Sequence, residues 1–177
     1  MRPITAILAL SLLVLPTSPA AAQTPAAPRP ADVASVDGII AALYDVISGP
    51  AGQARDWDRF RSLFAPGARL IPAAPRRDGS APVALSPDDY VQRTSDAFLK
   101  NGFFERAIAN QTEAFGAIVH VFSTYESRRA RDDEKPFARG INSIQVMRHA
   151  GRWWIVTVMW DQERPDNPIP AKYLGGR

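Results

Sequence analysis

The chain contains no cysteine and only two histidines, His120 and His149. The missing cysteines exclude a disulfide scaffold, a cysteine nucleophile, a cysteine-ligated zinc site and an iron–sulfur cluster. Two histidines leave no multi-histidine metal centre to build. A charge of one sign is also lacking: 21 Lys and Arg face 18 Asp and Glu, for a formal charge of +3. The densest basic cluster, Arg128, Arg129 and Arg131, is followed at once by Asp132, Asp133 and Glu134. Opposite charges that close cancel the long-range field, so the run reads as a solvated hairpin loop and not as a nucleic-acid surface. There is no glycine-rich phosphate loop, no Ser/His/Asp order and no internal repeat. What remains is 177 residues, 46% hydrophobic, 9% aromatic and 22% charged. That composition and length describe one globular domain.

The N-terminus has an order of its own. Arg2 is the only charge before Arg29, Ile4 to Leu15 is an apolar run, Pro16 ends it, and Ala20-Ala21-Ala22 supplies small residues. A basic start, a short apolar stretch and an A-x-A pattern predict a signal peptide over 1–22, cleaved after about Ala22. A membrane span needs about 20 apolar residues, so no stable anchor is expected after cleavage. Export places the protein in the periplasm or outside the cell. Losing Arg2 lowers the formal charge from +3 to +2. Residues 23–34 (QTPAAPRPADVA) are rich in Pro and Ala without a hydrophobic period and read as an extended tether. Residues 35–163 then form the domain and 164–177 a C-terminal tail.

Helical spacing governs the first half of the domain. Val36, Ile39, Ile40, Leu43, Tyr44 and Ile47 form one apolar stripe that Ser35 can cap and Ser48-Gly49-Pro50 ends. Asp56 can cap a second helix carrying Trp57, Phe60 and Phe64, ended by Pro66-Gly67, and Ala68 to Ile71 resembles a short strand. Ser86-Pro87-Asp88-Asp89 opens a third helix, closed by Asn101-Gly102. From Phe103 the period changes to 2. Phe103–Gln111, Ala117–Arg128, Phe137–Arg148 and Arg152–Gln162 read as four strands, the last two joined by a tight turn at His149-Ala150-Gly151. Helices followed by a run of strands predict an α+β fold with helices packed on one face of an antiparallel sheet. In the last strand Trp154, Val156, Val158 and Trp160 alternate with Trp153, Ile155, Thr157 and Met159. Neither set is polar, so both faces are expected to be covered: one by helices, the other by a second subunit in a homodimer or by the tail from Arg164 to Leu174.

Several strings carry a resemblance. The helix ending LYDVISG (Leu43 to Gly49), DWDRFRSLFAPGARL (Asp56 to Leu70), HVFSTYESR (His120 to Arg128) and GINSIQVMRHAGRWWIVTVMWDQE (Gly140 to Glu163) resemble the nuclear transport factor 2-like superfamily. That superfamily includes the SnoaL-like polyketide cyclases and the ketosteroid isomerases. The resemblance implies a cone-shaped curved antiparallel sheet wrapped around three N-terminal helices, enclosing a pocket and often forming dimers. Tyr44 sits where ketosteroid isomerases resemble one another in using a tyrosine as oxyanion donor. Pro72 falls near the place of their catalytic aspartate and cannot accept a proton, so that activity does not carry over.

Two residues are candidates for catalysis. His120, in the strand Ile118, His120, Phe122, Thr124, Glu126, is either a general acid/base facing the cavity or a core histidine hydrogen-bonded to backbone. Tyr44 is either a hydroxyl donor to a ligand or an amphipathic core residue. Glu126 lies about 20 Å from His120 along the strand and cannot pair with it. Asp56 and Asp58 are accounted for by helix capping. Trp57, Tyr125, Asn142, Trp154 and Trp160 are candidate pocket walls, with core packing the alternative for the rings and cross-strand pairing for Asn142. No cofactor or metal is expected. The function that follows is binding of a small hydrophobic molecule; the alternative is a cofactor-independent cyclase, isomerase or dehydratase using His120 and Tyr44.

Overall fold

A computed structural model describes residues 27–75 and 78–175. The signal peptide predicted over 1–22 lies outside the described residues. The order is α1 (Pro30–Val33), α2 (Val36–Ile47), α3 (Trp57–Ser62), β1 (Phe64–Pro72), α4 (Pro87–Asn101), β2 (Phe104–Phe115), β3 (Ile118–Arg128), β4 (Ala138–His149), β5 (Arg152–Gln162) and a 3₁₀ turn at Ala171–Tyr173. The five strands form one curled, unclosed sheet in the order β1-β5-β4-β3-β2. Strands β2 to β5 follow one another as antiparallel hairpins. The edge strand β1 pairs parallel to β5, so the sheet is mixed and not wholly antiparallel.

The helices start where their caps lie. The Ser35 hydroxyl accepts the Gly38 N–H at 3.0 Å, and α2 buries Ile39, Ile40, Leu43, Tyr44 and Ile47 on the expected stripe. Ser86 and Asp89 close a reciprocal capping box on α4, with Oγ accepting at 3.1 Å and Oδ2 at 2.9 Å. Asp56 accepts the Arg59 N–H at 2.9 Å and opens α3. That helix ends at Ser62, before Pro66-Gly67, because Leu63 and Phe64 are drawn into the sheet: the Ile155 N–H bonds the Leu63 carbonyl at 2.9 Å. Long-range pairing here overrides helix propensity.

The folded body also begins earlier than Ser35. Residues 30–33, read as part of the extended tether, form a helical turn with Asp32 and Val33 buried. The Arg59 guanidinium holds Asp32 bidentately at 2.7 and 2.9 Å and reaches Asp45 at 2.6 Å. This partner, 27 residues downstream, is invisible to local composition.

One residue reorganises the last strand. Gln145 pairs with Thr157 but Val146 pairs with Ile155, so Val156 is an extra residue in β5. The bulge shifts the alternation by one position. The face toward the helices therefore carries Trp153, Ile155, Val158 and Trp160. Trp154 and Trp160, expected on one face, lie on opposite faces. The core fills the space between this inner face and α2, α3 and α4, with Ile39, Phe60, Leu63, Ile144 and Ile155 wholly buried. Across the outer face runs part of the tail: the Tyr173 carbonyl accepts from Thr124 at 2.6 Å and the Tyr173 ring meets Phe122 at 4.9 Å.

Candidate functional site

The inner face of the sheet changes character along its length. At one end Val119, Val121, Ile144 and Val146 are apolar and buried. At the other the same alternation presents Ser123, Tyr125 and Ser127 from β3, Asn142 from β4 and Glu105 from β2. Here the core opens into a cavity of about 280 Å³. Its walls are apolar and aromatic, with Leu43 and Ile47 from α2, Tyr90 and Phe98 from α4, Phe103, Phe137 and Trp160. Ligand sites commonly measure about 300–1,000 Å³ and combine apolar walls with a few placed polar groups.

The polar groups form one connected network. The hydroxyls of Tyr44 and Ser123 are 2.7 Å apart. Asn142 Nδ2 donates to Tyr44 Oη at 3.0 Å and lies 3.4 Å from Glu105 Oε1. Ser127 Oγ donates to Glu105 Oε2 at 2.8 Å. Ser48 Oγ accepts the Glu105 N–H at 3.0 Å and so ties the start of β2 to the end of α2. Glu105 is half-buried, and among the described residues it is the one charged residue lining the cavity. Burial pushes its carboxyl up to about 7, against the smaller opposing pull of the Ser127 and Asn142 hydrogen bonds. Burial likewise raises the hydroxyls of Tyr44, Tyr90 and Tyr125, so all three stay neutral across the physiological range. The Tyr90 hydroxyl has no hydrogen-bond partner among the described residues. Room for Tyr125 comes from its cross-strand partner Gly140, where a Cβ would meet the phenol oxygen at 2.6 Å.

Of the residues singled out in the sequence, Tyr44, Tyr125, Asn142 and Trp160 line the cavity. His120, Trp57 and Trp154 do not. His120 stands on the outer face, with Nε2 at 3.0 Å from Ser143 Oγ and Nδ1 at 3.9 Å from Glu113. Alternate strand residues point to opposite faces, so His120 and the Ser123, Tyr125 and Ser127 set cannot share a ligand atom. The catalytic pairing of His120 with Tyr44 is therefore corrected: the sheet separates them. Trp57 packs behind the cavity wall against Phe60 and Phe98 at 5.6 and 6.3 Å. Trp154 lies on the outer face under the Arg152 guanidinium, 3.6 Å from its ring. Glu105, Ser127 and Tyr90 were missed. A signal for Glu105 exists, since an acid sits in phase with Phe103 and Ala107 on the side of β2 that alternation turns inward.

Two comparisons with known proteins are negative: no family model matches the chain, and no curated protein does. Solved structures do match. A protein of unknown function with a cystatin-like fold from Nostoc punctiforme superposes with a TM-score of 0.57 at 12% identity, over 76% of this chain and 92% of that one. An NTF2-like protein of unknown function from Pseudomonas putida gives 0.55 at 11% identity, over 75% and 88%. A candidate ketosteroid isomerase from Parabacteroides distasonis gives 0.50 at 11%, over 73% and 88%. At such identities the likeness speaks for architecture alone. The α+β cone of curled sheet and packed helices is the nuclear transport factor 2-like fold.

Proposed function

We propose that this protein is exported and binds a small, largely apolar molecule in the cone cavity. The observation that carries the reading is the cavity itself: rings on its walls and a short polar network at one end, Tyr44, Asn142, Glu105 and Ser127. Titrating the purified protein with small aromatic compounds tests it, with Trp160 fluorescence as the readout. Saturable quenching that is lost when Val158→Trp fills the cavity is the expected result. An absence of saturable binding, together with no co-purifying molecule in native mass spectrometry, refutes it. Export is tested by the intact mass of protein recovered from the periplasm or medium, expected to begin near Gln23.

The polar network supports a second reading, in which the cavity performs cofactor-independent proton transfer with Glu105 in the role first given to His120. A carboxyl that titrates near 7 can both take and return a proton at neutral pH. Exchange of carbon-bound protons of small ketones in D₂O, followed by NMR, tests this. Exchange that is unaffected by Glu105→Gln counts against it.

We also propose that a second copy of the chain covers the outer face of the sheet beyond the reach of the tail. That face carries Phe115, Ile118 and Met159 at 83%, 59% and 42% exposure. Isolated apolar residues need no partner, but Phe115 and Ile118 are cross-strand partners and together form a patch that association removes from water.

A further inference from the structure

We propose that the cavity selects a small organic cation, an ammonium group carried on an apolar body, with Glu105 as its counter-charge. This rests on the binding reading and names the chemistry that reading leaves open.

The argument starts from charge. A buried ionised carboxylate is costly unless a cation meets it. Among the described residues Glu105 has no such partner inside the cavity, for the others that line it include no Arg, Lys or His. In the adjoining cleft three arginines have other contacts, and Arg131 lies over the Phe104 ring at 5.2 Å. Arg106 and Arg128 both pair with the Glu126 carboxylate. The supports the fold does give Glu105 are neutral: Ser127 on Oε2 and Asn142 on Oε1. An ionised carboxylate offers about four acceptor positions, so these two donors leave positions open. An ammonium supplies both the missing charge and the missing donors.

The walls point the same way. Phe98 and Phe103 stack at 4.2 Å, and Phe137 meets Phe103 edge-on at 6.2 Å. Tyr90 stands between Phe60 and Trp160 at 5.4 and 6.3 Å. Ring faces attract cations and repel anions, and the attraction grows as water is excluded. The unpartnered Tyr90 hydroxyl adds a further acceptor. An anionic ligand would meet Glu105 as a like charge, and a neutral one would leave the carboxyl in its protonated form.

Binding then depends on pH with a definite sign. Taking up the cation requires Glu105 to release its proton, so affinity rises with pH up to about 7 and flattens above. The groups facing Glu105 from the packed elements are Tyr44 on α2, Tyr90 on α4, Tyr125 and Ser127 on β3, Asn142 on β4 and Gln162 on β5. On its far side lies a cleft with Arg106, Arg128 and Arg131 set against Asp45, Glu126, Asp132 and Asp133. The tyrosines stay neutral throughout.

The test compares benzylamine, benzyl alcohol and benzoate by calorimetric titration of the purified protein at pH 8. Benzylamine is expected to bind about tenfold or more tightly than benzyl alcohol, with benzoate weakest. Its affinity should fall about tenfold per unit as pH drops below Glu105's own titration. Glu105→Gln should bring the amine-to-alcohol ratio to about one. An independent readout needs no variant: at pH 6, benzylamine should move the Glu105 carboxyl carbon resonance to its ionised position. Equal or tighter binding of benzyl alcohol overturns the cation proposal and leaves the binding reading standing. An unmoved carboxyl resonance overturns it likewise. If none of the three compounds binds, both fall.

Discussion

A single carboxyl has the largest leverage at the residue scale. Glu105 titrates near 7 in the folded chain against an ordinary 4.5. Between those values the folded state holds a proton that the unfolded state has released. Stability contributed by the protonated form is therefore lost as pH rises through this window and changes no further above 7. Glu105→Gln removes the titration. The variant should match the native protein near pH 4.5 and exceed it at pH 8 by on the order of 2 kcal/mol, read from urea midpoints at both values. A native protein whose stability is flat across the window speaks against the buried acid. Tyr44 behaves differently. Its hydroxyl joins Ser123, which is wholly buried, to Asn142. Tyr44→Phe leaves that serine unpaired and should cost about 1–3 kcal/mol at every pH.

At the scale of elements, the junctions between helices depend on cations as much as on apolar faces. Arg55 is only 8% exposed, yet it has no acidic partner among the described residues. Its Nε donates to the Ile47 carbonyl at 2.9 Å and its Nη2 to Gly49 at 2.5 Å, with Nη1 on Gln53. These are carbonyls at and just past the end of α2, where the helix dipole is negative and backbone acceptors lack helical partners. Arg55→Ala should cost about 2–4 kcal/mol, visible as an early loss of protection at the α2 C-terminus in hydrogen exchange. A Lys in its place keeps the charge but not the fork of donors, and should recover only part of the loss. The same element shows where local reading ends. The stripe and cap of α2 are legible from spacing alone, whereas Arg55 looks like an ordinary loop cation until the loop closes around it. The Val156 bulge is of the same kind: no turn residue marks it, and it decides which tryptophans of β5 face the cavity.

The outer face matters at the scale of the whole molecule. Part of it is covered by the tail, through Thr124, Phe122 and the Gln111 side chain, which donates to the Lys172 carbonyl at 2.8 Å. The end bearing Phe115 and Ile118 is not. Sedimentation velocity is expected to find a dimer, and Ile118→Glu a folded monomer with unchanged thermal stability at high dilution. Native protein that sediments as a monomer at tens of micromolar would end the dimer proposal.

What the sequence alone determined is what short-range physics determines. Caps at Ser35, Asp56 and Ser86, the 3.6-residue stripe of α2 and the change to period 2 after Phe103 are written in residues close together along the chain. They sufficed to predict an α+β fold, with the cone implied by the resemblance; Tyr44, singled out as a catalytic candidate, and Tyr125, Asn142 and Trp160, singled out as candidate walls, all line the cavity. Tertiary structure decided everything that depends on distant partners. It set the parallel pairing of β1 with β5, the docking of Asp32 on Arg59 and the outward placement of His120. Above all it brought Glu105 to Asn142, 37 residues away, in a pocket where burial changes what a carboxyl does. A titration is a property of surroundings, and the surroundings of Glu105 exist only once four strands and two helices have closed around it.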